Sequence, residues 1–308
     1  MKNPAIYIIG SGAIGKALAV FLKLENRDAI LVRGSVDHQP EEENTITVYG
    51  QDDQVSRQTV KTTTFSHLSD INGIVLITAK AFGNTAIAEK LRHKEGDFSI
   101  VLLQNGLNIE RPFDDFEKVY RCVLFSTSQV TGTHEVSFKT VTESPVGNLE
   151  GDNAGTEEII QQIHTSYFGF RSEPNIETIV WNKAIINCAF NSICPLLEID
   201  NGIFQRNTEA FEMAQTIIGE CVAVAEKYDI KLDQKEIEQT LLLISQRADG
   251  QLISTYEDIR NKRRTEIESL NLEVARMADE INMPELVPTT RTLGEMIRIK
   301  SNLKMARN

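Results

Sequence analysis

The chain has 308 residues, of which 25% are charged and 41% hydrophobic, a composition typical of a soluble globular protein with one large domain or two ordinary ones. Its net charge of −12 argues against a general nucleic-acid binder, because such proteins need a basic face for phosphates. No apolar run is long enough to span a bilayer, and the first residues, MKNPAIYIIG, lack a secretory-signal pattern, so we expect a cytoplasmic protein with no membrane partner.

The strands of the first half are predicted from short, continuously apolar runs that alternate with helical patterns. These runs cover residues 6–9, 29–32, 74–77, 99–103 and 119–125, and the first helical pattern covers residues 14–24. Strands that are apolar without alternation are typical of a sheet covered by helices on both faces. The order predicts an α/β domain with a doubly wound parallel sheet of the Rossmann type.

Two polar, β-branched stretches interrupt this pattern. They cover residues 45–60 and 131–151, and the second contains Pro145, Gly147 and Gly151. Each is compatible with an extra hairpin or with a loop insertion, so the sequence leaves both alternatives open.

The second half of the chain is predicted to be helical throughout. Apolar residues three and four positions apart mark helices over residues 181–197, 209–228, 234–246 and 255–281. Proline and small polar residues at positions 170–175 mark the sharpest internal boundary. We therefore predict a Rossmann domain over residues 1–174 and an all-helical domain over residues 175–308.

The cysteines and histidines give no sign of a metal site. The four cysteines, which have no CxxC spacing and are expected to be reduced and buried, are Cys122, Cys188, Cys194 and Cys221. The five histidines are scattered, and none lies four positions from another. We expect neither a bound metal nor a dehydrogenase that uses a histidine acid.

A glycine-rich motif, GSGAIG, follows the first predicted strand and opens the first predicted helix. Its first glycine permits a tight turn, its second lets the backbone approach a pyrophosphate, and its third lets the helix pack on the strand. The helix N-terminus then offers N–H groups to the anion. The motif predicts dinucleotide binding, with a purely structural turn as the alternative. Its residues are Gly10, Ser11, Gly12, Ala13, Ile14 and Gly15.

Arg33 ends the second predicted strand, roughly 20 positions after the glycine motif. NAD-selective sites have an Asp or Glu there, which accepts a hydrogen bond from the ribose 2′-hydroxyl. A guanidinium instead pairs with a 2′-phosphate and leaves a bare hydroxyl without its acceptor. Arg33 therefore predicts NADP(H) rather than NAD(H), with an ordinary surface arginine as the alternative.

A polar stripe runs along the first helix of the second domain. Lys183, Asn187 and Asn191 follow one another at intervals of four, so they share one face of a helix that is otherwise largely apolar. Amides and ammonium groups are costly to bury without partners. The stripe indicates a polar site, with a solvated helix face as the alternative.

The stretch WNKAIINCAFNSI, residues 181–193, resembles the Trp-x-Lys-x-x-x-Asn-Cys-x-x-Asn signature of the ketopantoate reductase (2-dehydropantoate 2-reductase) family. Nearly the whole chain shares the resemblance, through GSGAIG, ITAK after the third predicted strand, LQNG after the fourth, and later STYEDIR and RTEIE. These spacings together are far more specific than the glycine motif alone. The resemblance implies a Rossmann domain, a helical domain and an active site in the cleft between them.

The resemblance also implies a reaction, the NADPH-dependent reduction of 2-dehydropantoate to pantoate in pantothenate biosynthesis. Hydride would reach the C2 ketone, and Lys183 would take the role of the family's general acid, which stabilises the growing negative charge and delivers a proton. Glu266 would correspond to the glutamate that hydrogen-bonds the reacting oxygen and orients the lysine. Ser254 would hold the substrate carboxylate, and Asn187 and Asn191 would hold the distal hydroxyl of the substrate.

The same resemblance gives roles to two residues of the first domain. Asn105, just past a buried strand, would lie near nicotinamide and substrate, and the alternative is an ordinary Asn-Gly turn. Lys80 would contact the cofactor and add a second cation to the NADP site. The family commonly has a glutamine three residues after this lysine, whereas this chain has Gly83, which weakens the contact.

Ser254 and Glu266 also have structural alternatives. Ser254 and Glu257 match a capping box at the start of the helix predicted over residues 255–281. A serine at a helix N-terminus is also a suitable place to hold a carboxylate. For Glu266 the alternative is an exposed acid of that same helix.

Two further functions stay open beside the leading one. A related dehydrogenase would act on another 2-oxo acid, and it would differ chiefly around Asn187 and Asn191. A non-catalytic NADP(H)-sensing protein would bind the dinucleotide without turnover, although Lys183 and Glu266 together disfavour it. We expect a small 2-oxo acid as the substrate, and a monomer or a homodimer.

Overall fold

The computed structural model describes residues 4–149 and 154–306, whose contacts divide the chain into two units. Unit 1 contains Met1–Gln104 and Ile109–Ile176, and unit 2 contains Asn105–Asn108 and Glu177–Asn308. The predicted domains, 1–174 and 175–308, also include residues 1–3, 150–153 and 307–308, which lie outside the described residues.

The described part of unit 1 contains one mixed sheet. Its strands are β1 (Ala5–Ile9), β2 (Ala29–Arg33), β3 (Glu42–Tyr49), β4 (Val55–Thr64), β5 (Gly73–Ile77), β6 (Phe98–Leu102), β7 (Val119–Cys122), β8 (Ser126–Gly132), β9 (Glu135–Thr140), β10 (Ser144–Gly147) and β11 (Phe170–Ser172). They lie in the order β11-β10-β7-β6-β5-β1-β2-β4-β3-β9-β8.

The centre of the sheet has the Rossmann arrangement that the apolar runs predicted. The strands β4, β2, β1, β5, β6 and β7 are neighbours in that order, and every adjacent pair among them is parallel. Tyr7 of β1 pairs in register with Ile30 of β2 on one side and Val75 of β5 on the other. The strand order therefore reverses on either side of β1, which is where open α/β sheets bind ligands.

Helices cover both faces of this sheet, which explains why its strands are apolar without alternation. They are α1 (Ala13–Leu24), α2 (Asn84–Arg92) and α3 (Ala154–Ile163). Ile8 packs in one buried cluster with residues of α1 and α3, and its neighbour Ile9 packs in a second cluster with residues of α2. Successive strand side chains thus point to opposite apolar layers.

The two polar stretches form strands rather than loop insertions. Residues 45–60 fall in the antiparallel pair β3 and β4, and β4 also pairs in parallel with β2, so it supplies the third strand of the Rossmann arrangement. Within residues 131–149, β9 pairs antiparallel with β8 and β10 pairs antiparallel with β7. Residues 150 and 151 of the second stretch lie outside the described residues.

The described part of unit 2 is helical, as the periodicity predicted. Its helices are α4 (Ile176–Leu197, which begins at the last residue of unit 1), α5 (Ile203–Arg206), α6 (Thr208–Lys227), α7 (Gln234–Arg247), α8 (Ser254–Arg260), α9 (Asn271–Glu280) and α10 (Pro288–Ala306). Across residues 4–149 and 154–306, no helix combines the length and the apolar character that crossing a membrane requires.

The single helix predicted over residues 255–281 is wrong. The chain forms α8, then an irregular stretch, a 3₁₀ helix over Ile267–Ser269, and α9. The helix ends near Lys262, whose φ of 53° is left-handed, and Arg263 donates its N–H to Asp258 O instead of continuing the helical pattern. In a continued helix Arg260 would also face Arg263 and Arg264, at spacings of three and four, where like charges repel.

Candidate active site

The glycine motif forms a tight loop between β1 and α1. Gly10 has a φ of +121°, and a Cβ there would lie 2.5 Å from the backbone nitrogen of Ala79. A Cβ on Gly15 would overlap the carbonyl oxygen of Gly10. Thr78, directly after β5, donates its hydroxyl to that same oxygen at 3.0 Å. The loop is therefore held against the end of β5, and only glycine fits at these two positions.

Gly12 differs from the other two glycines because its backbone is open. It is exposed, and among the described residues no heavy atom lies within 4 Å of the position that a Cβ would take. It immediately precedes α1, whose first N–H groups receive no side-chain cap from the described part of the chain. An exposed glycine beside uncapped helix N–H groups fits the pyrophosphate of a nicotinamide dinucleotide.

Arg33, at the end of β2, forms an ion pair with Glu42, the first residue of β3. Its Nη2 lies 2.6 Å from Glu42 Oε2, and its Nη1 donates to Pro40 O at 3.5 Å. Hydrogen bonds from Asn44 and from Arg33 lower the pKa of the Glu42 carboxyl. Arg33, which was predicted to pair with a 2′-phosphate, thus already pairs with the carboxylate of Glu42. The spacing of residues in the sequence did not indicate this contact.

Lys80 lies half-buried directly before the 3₁₀ helix Ala81–Gly83 that follows β5. Nearby, the buried amides of Gln104 and Asn84 form a reciprocal pair, with Gln104 Nε2 2.6 Å from Asn84 Oδ1. Gln104 also donates to Ala79 O at 2.7 Å. This pair fixes the ends of β5 and β6 relative to α2, and no sequence pattern indicated it.

Lys16 is a further cation beside the glycine loop that the sequence analysis missed. It lies in the first turns of α1, and its Nζ donates to Thr133 O, in the turn between β8 and β9, at 2.6 Å. Burial lowers the pKa of its ammonium group. The lysine that follows GSGAIG in the sequence was the available signal.

The polar stripe of α4 lies where the spacing predicted. Lys183 and Asn187 are half-buried and Asn191 is buried, at 3% exposure. Asn191 donates its Nδ2 to Asn187 O at 2.9 Å. Its Oδ1 is buried and accepts no hydrogen bond from the described residues. A buried amide oxygen without a donor is costly in an apolar helix bundle.

Asn105 belongs to unit 2, in the short segment Asn105–Asn108, although the residues on both sides of this segment belong to unit 1. Leu107 donates its N–H to Ser269 O at 2.8 Å, and Ser269 donates its hydroxyl to Glu266 O at 3.0 Å. A Cβ on Gly106, whose φ is +113°, would lie 2.6 Å from the Ser269 side chain. The structure thus brings the backbone segments of Asn105 and Glu266 together.

Glu266 is not an exposed helix acid. It is 9% exposed and directly precedes the 3₁₀ helix Ile267–Ser269, within the stretch that joins α8 to α9. The α-helix predicted there would have given it a solvated face. The interruption of that helix instead places the carboxylate in a buried turn.

Glu273 of α9 is a buried carboxylate that the sequence analysis missed. It accepts a hydrogen bond from Asn108 Nδ2 at 2.7 Å and one from Arg276 Nε at 2.8 Å. The Nη1 atom of Arg276 also lies 3.3 Å from Glu268 Oε2. These contacts fasten the Asn105–Asn108 segment to α9, although no local pattern links residues so distant in sequence.

Ser254 is exposed and is the first residue of α8 rather than its cap. Ile253 has the extended backbone of the capping position, and its carbonyl accepts from the N–H groups of Tyr256 and Glu257. The capping box predicted for Ser254 and Glu257 is therefore wrong. The helix starts one residue earlier than that motif requires.

The four cysteines are free and buried, as predicted. Burial raises the pKa of Cys194 to about 12, so its thiol stays protonated near neutral pH. Within the residues that the structure describes, no cluster of three or more His, Cys, Asp or Glu side chains is arranged to hold a metal ion.

Two family models match the sequence. The model described as ketopantoate reductase PanE/ApbA matches residues 6–151, and the model described as ketopantoate reductase PanE/ApbA C terminal matches residues 175–301. Together they extend over more than half of the chain.

Individual proteins agree with these matches. The 2-dehydropantoate 2-reductase of Streptococcus pyogenes is 25% identical over 303 residues, which cover 96% of this chain and 97% of that protein. The 2-dehydropantoate 2-reductase of Archaeoglobus fulgidus is 24% identical over 303 residues, which cover 97% and 98%.

Solved structures share the fold. A dimeric ketopantoate reductase from Staphylococcus aureus matches with a TM-score of 0.81 and 22% identity, and the match covers 97% of this chain and 99% of that one. The ternary structure of D-mandelate dehydrogenase with NADH and anilino(oxo)acetate matches with a TM-score of 0.85, 21% identity and the same coverage.

Proposed function

Because this chain belongs to the ketopantoate reductase family of oxidoreductases, which use a nicotinamide cofactor, we propose that it reduces 2-dehydropantoate to pantoate with NADPH. In this proposal the glycine loop of the proposed domain 1–174 binds the cofactor. Helices of the proposed domain 175–308 provide most of the residues for substrate binding and proton transfer. The activity would serve pantothenate biosynthesis.

The observation that carries the proposal is the polar face of α4. Asn191 Oδ1 is buried without a donor from the described residues, and a substrate hydroxyl is a suitable donor for it. 2-Dehydropantoate has such a hydroxyl at the end remote from its ketone, whereas pyruvate and 2-oxoisovalerate have none. Asn187, one turn earlier on the same face, provides a second amide for that end of the substrate.

Lys183 is the proposed general acid. When bound, the reduced nicotinamide supplies a hydride to the C2 ketone. Lys183, a half-buried lysine one turn before Asn187, would stabilise the negative charge that develops on the ketone oxygen and give that oxygen a proton. Glu266 would accept a hydrogen bond from the lysine and orient it. Its buried position favours a fixed orientation over a solvated one.

The remaining residues have proposed binding roles. Ser254, exposed at the start of α8, would hold the substrate carboxylate, and Asn105 would contact nicotinamide and substrate. Arg33 would pair with the 2′-phosphate of NADPH, and Lys80 would add a second cation there. The loop Gly10, Ser11, Gly12, Ala13, Ile14 and Gly15 would bind the pyrophosphate.

The proposal is tested by following NADPH oxidation with purified protein. Ketopantoate is compared with pyruvate, 2-oxoisovalerate and phenylglyoxylate, and each substrate is also assayed with NADH. We expect turnover with ketopantoate and NADPH, and a kcat/KM for ketopantoate at least about 100-fold above that for pyruvate, because the latter leaves a buried amide unpaired.

Other outcomes support the alternatives. Turnover of phenylglyoxylate but not of ketopantoate would retain Lys183 and Glu266 and reject the roles of Asn187 and Asn191. NADPH binding without any turnover would favour a sensing protein. A cytoplasmic location and a monomeric or homodimeric state stay predictions from the sequence.

A further inference from the structure

The ion pair between Arg33 and Glu42 lies at the edge of the sheet where the glycine loop begins. Arg33 pairs in register with Thr64 of β4, and Glu42 pairs with Thr62 of the same strand. β4 is parallel to β2, and β3 is antiparallel to β4. The start of β3 and the end of β2 therefore lie at the same edge of the sheet. The loop that begins at Gly10 leaves β1 at this edge too.

Glu42 is held next to Arg33 by more than one contact. Its Oε2 accepts from Arg33 Nη2 at 2.6 Å and from Asn44 Nδ2 at 3.1 Å. Both donors favour its ionised form. The Arg33 side chain is 21% exposed and that of Glu42 is 48% exposed, so the pair is accessible from solvent.

A carboxylate at this place has opposite consequences for the two nicotinamide dinucleotides. A 2′-phosphate that approaches Arg33 must displace Glu42 or lie beside it, and like charges a few ångströms apart repel each other. A 2′-hydroxyl, in contrast, can donate a hydrogen bond to a carboxylate in this region. Glu42 thus opposes the 2′-phosphate and accepts the 2′-hydroxyl.

We infer that Glu42 determines cofactor specificity, because it competes with the 2′-phosphate for Arg33 and reduces the preference for NADPH over NADH. The inference rests on the proposed binding of a nicotinamide dinucleotide to the glycine loop. Cofactor choice is usually predicted from the residue at the end of β2 alone. Here a residue of β3 also contributes to it.

Of the two glutamates that flank Glu42, one provides a matched control. Glu41 is engaged elsewhere, since its Oε1 lies 2.9 Å from Lys61 Nζ and accepts from Thr63 Oγ1 at 2.8 Å. Glu43 follows Glu42 in β3, so its side chain points to the opposite face of the sheet. Glu43→Gln removes the same charge one residue away without touching Arg33.

The experiment measures equilibrium binding by isothermal titration calorimetry, without substrate or turnover. The dissociation constants of NADPH and NADH are determined for the unchanged protein, Glu42→Gln, Glu43→Gln, Arg33→Ala and the double variant of positions 33 and 42. We expect Glu42→Gln to bind NADPH about five- to tenfold more tightly, with NADH binding unchanged or weaker. Glu43→Gln should change both constants by less than about twofold.

The double variant tests the mechanism. If Glu42 acts by competing for Arg33, Glu42→Gln should give little further gain in NADPH binding once Arg33 is alanine. Thermal melting of each variant, by circular dichroism, checks that β3 still forms. We expect melting temperatures within about 2 °C of one another, because an exposed ion pair contributes little to stability.

Two results would overturn the inference while leaving the proposed function intact. In the first, both cofactors bind and Glu42→Gln leaves the ratio of their dissociation constants unchanged. In the second, Glu42→Gln weakens NADPH binding, which would mean that Glu42 positions Arg33 for the phosphate. Failure of the unchanged protein to bind either dinucleotide would instead reject the proposed function together with the inference.

Discussion

At the scale of single residues, the three glycines of the loop differ in whether the fold itself requires them. Gly10 and Gly15 are required by the fold, because a Cβ at either position meets backbone atoms. Gly12 meets nothing among the described residues within 4 Å, and its φ of −76° is allowed for any residue. The fold therefore does not require glycine at position 12, whereas the proposed pyrophosphate site would require it.

Two alanine substitutions test this separation. Gly15→Ala should destabilise the protein by about 1–3 kcal/mol, because the new methyl group overlaps Gly10 O. Gly12→Ala should leave the melting temperature unchanged and weaken NADPH binding about tenfold or more, since the methyl group occupies the approach to the pyrophosphate. Thermal melting and calorimetric titration measure the two effects. A Gly12→Ala variant that binds NADPH normally would contradict the proposed cradle.

Lys183 is the residue whose loss should affect chemistry most. Lys183→Ala should lower kcat by about 10²- to 10⁴-fold, the usual contribution of a general acid, while the dissociation constant of NADPH changes less than about twofold. Steady-state kinetics and direct titration measure the two quantities. Lys235→Ala, at an exposed lysine of α7, is the control and should leave both near their original values. Loss of NADPH binding with turnover retained would reject the assignment.

The positions of some candidate site residues were easier to predict from the sequence than those of others. The glycines and the stripe of Lys183, Asn187 and Asn191 were recognisable because their spacing within one element determines their geometry. Glu42 was not recognisable as the partner of Arg33, because their contact depends on the pairing of β2, β4 and β3.

At the scale of secondary-structure elements, the N-terminus of α10 is capped by a residue of another helix. Glu220 of α6 accepts hydrogen bonds from the N–H groups of Thr289 at 3.0 Å and Thr290 at 2.7 Å. The carboxylate satisfies two donors of the first turn and complements the helix dipole. It thereby fastens α6 to α10.

Loss of this cap should destabilise unit 2. Glu220→Ala is expected to lower the free energy of unfolding by about 1–2 kcal/mol, as for other lost N-caps. Chemical denaturation in urea, followed by circular dichroism, measures the change. Glu226→Ala, at an exposed position of the same helix, should change the stability by less than about 0.5 kcal/mol. Equal effects of the two substitutions would contradict the capping role.

Element prediction succeeded where the hydrophobic period was local and failed where long-range contacts decide. The buried strands and most helices of unit 2 follow directly from their periodicity. The helix over residues 255–281 was predicted as continuous because its two halves have compatible patterns. Its interruption creates the buried turn of Glu266, which packs on the Asn105–Asn108 segment. That contact joins residues too far apart in sequence for any window to include both.

At the scale of the whole molecule, a chain of net charge −12 is proposed to bind an anionic cofactor. The long-range field of such a chain opposes the cofactor, so binding has to depend on local donors and cations. Arg33, Lys80 and the first N–H groups of α1 are the groups proposed for this role.

Cofactor binding should raise the stability of the protein, and NADPH should raise it more than NADH does. NADPH at about 100 times its dissociation constant should stabilise the native state by about 2.7 kcal/mol and raise the melting temperature by several degrees. NADH at the same concentration should give a smaller shift. Differential scanning calorimetry measures both shifts, and Arg33→Ala should reduce the difference between them. A larger shift with NADH would reject the proposed preference for NADPH.

The placement of Asn105–Asn108 in unit 2 has a consequence for how the chain folds. Asn108 and Glu273 are 165 residues apart in sequence, so their hydrogen bond is a contact of very high contact order. During synthesis the segment leaves the ribosome long before α9 exists, and the buried carboxylate of Glu273 gains this donor only late. A fragment cut at the boundary between Ile176 and Glu177 would lack the segment altogether. A helical fragment that keeps the hydrogen bond between Asn108 and Glu273 would need these four residues joined to it, so a single cut in the sequence does not separate the two units.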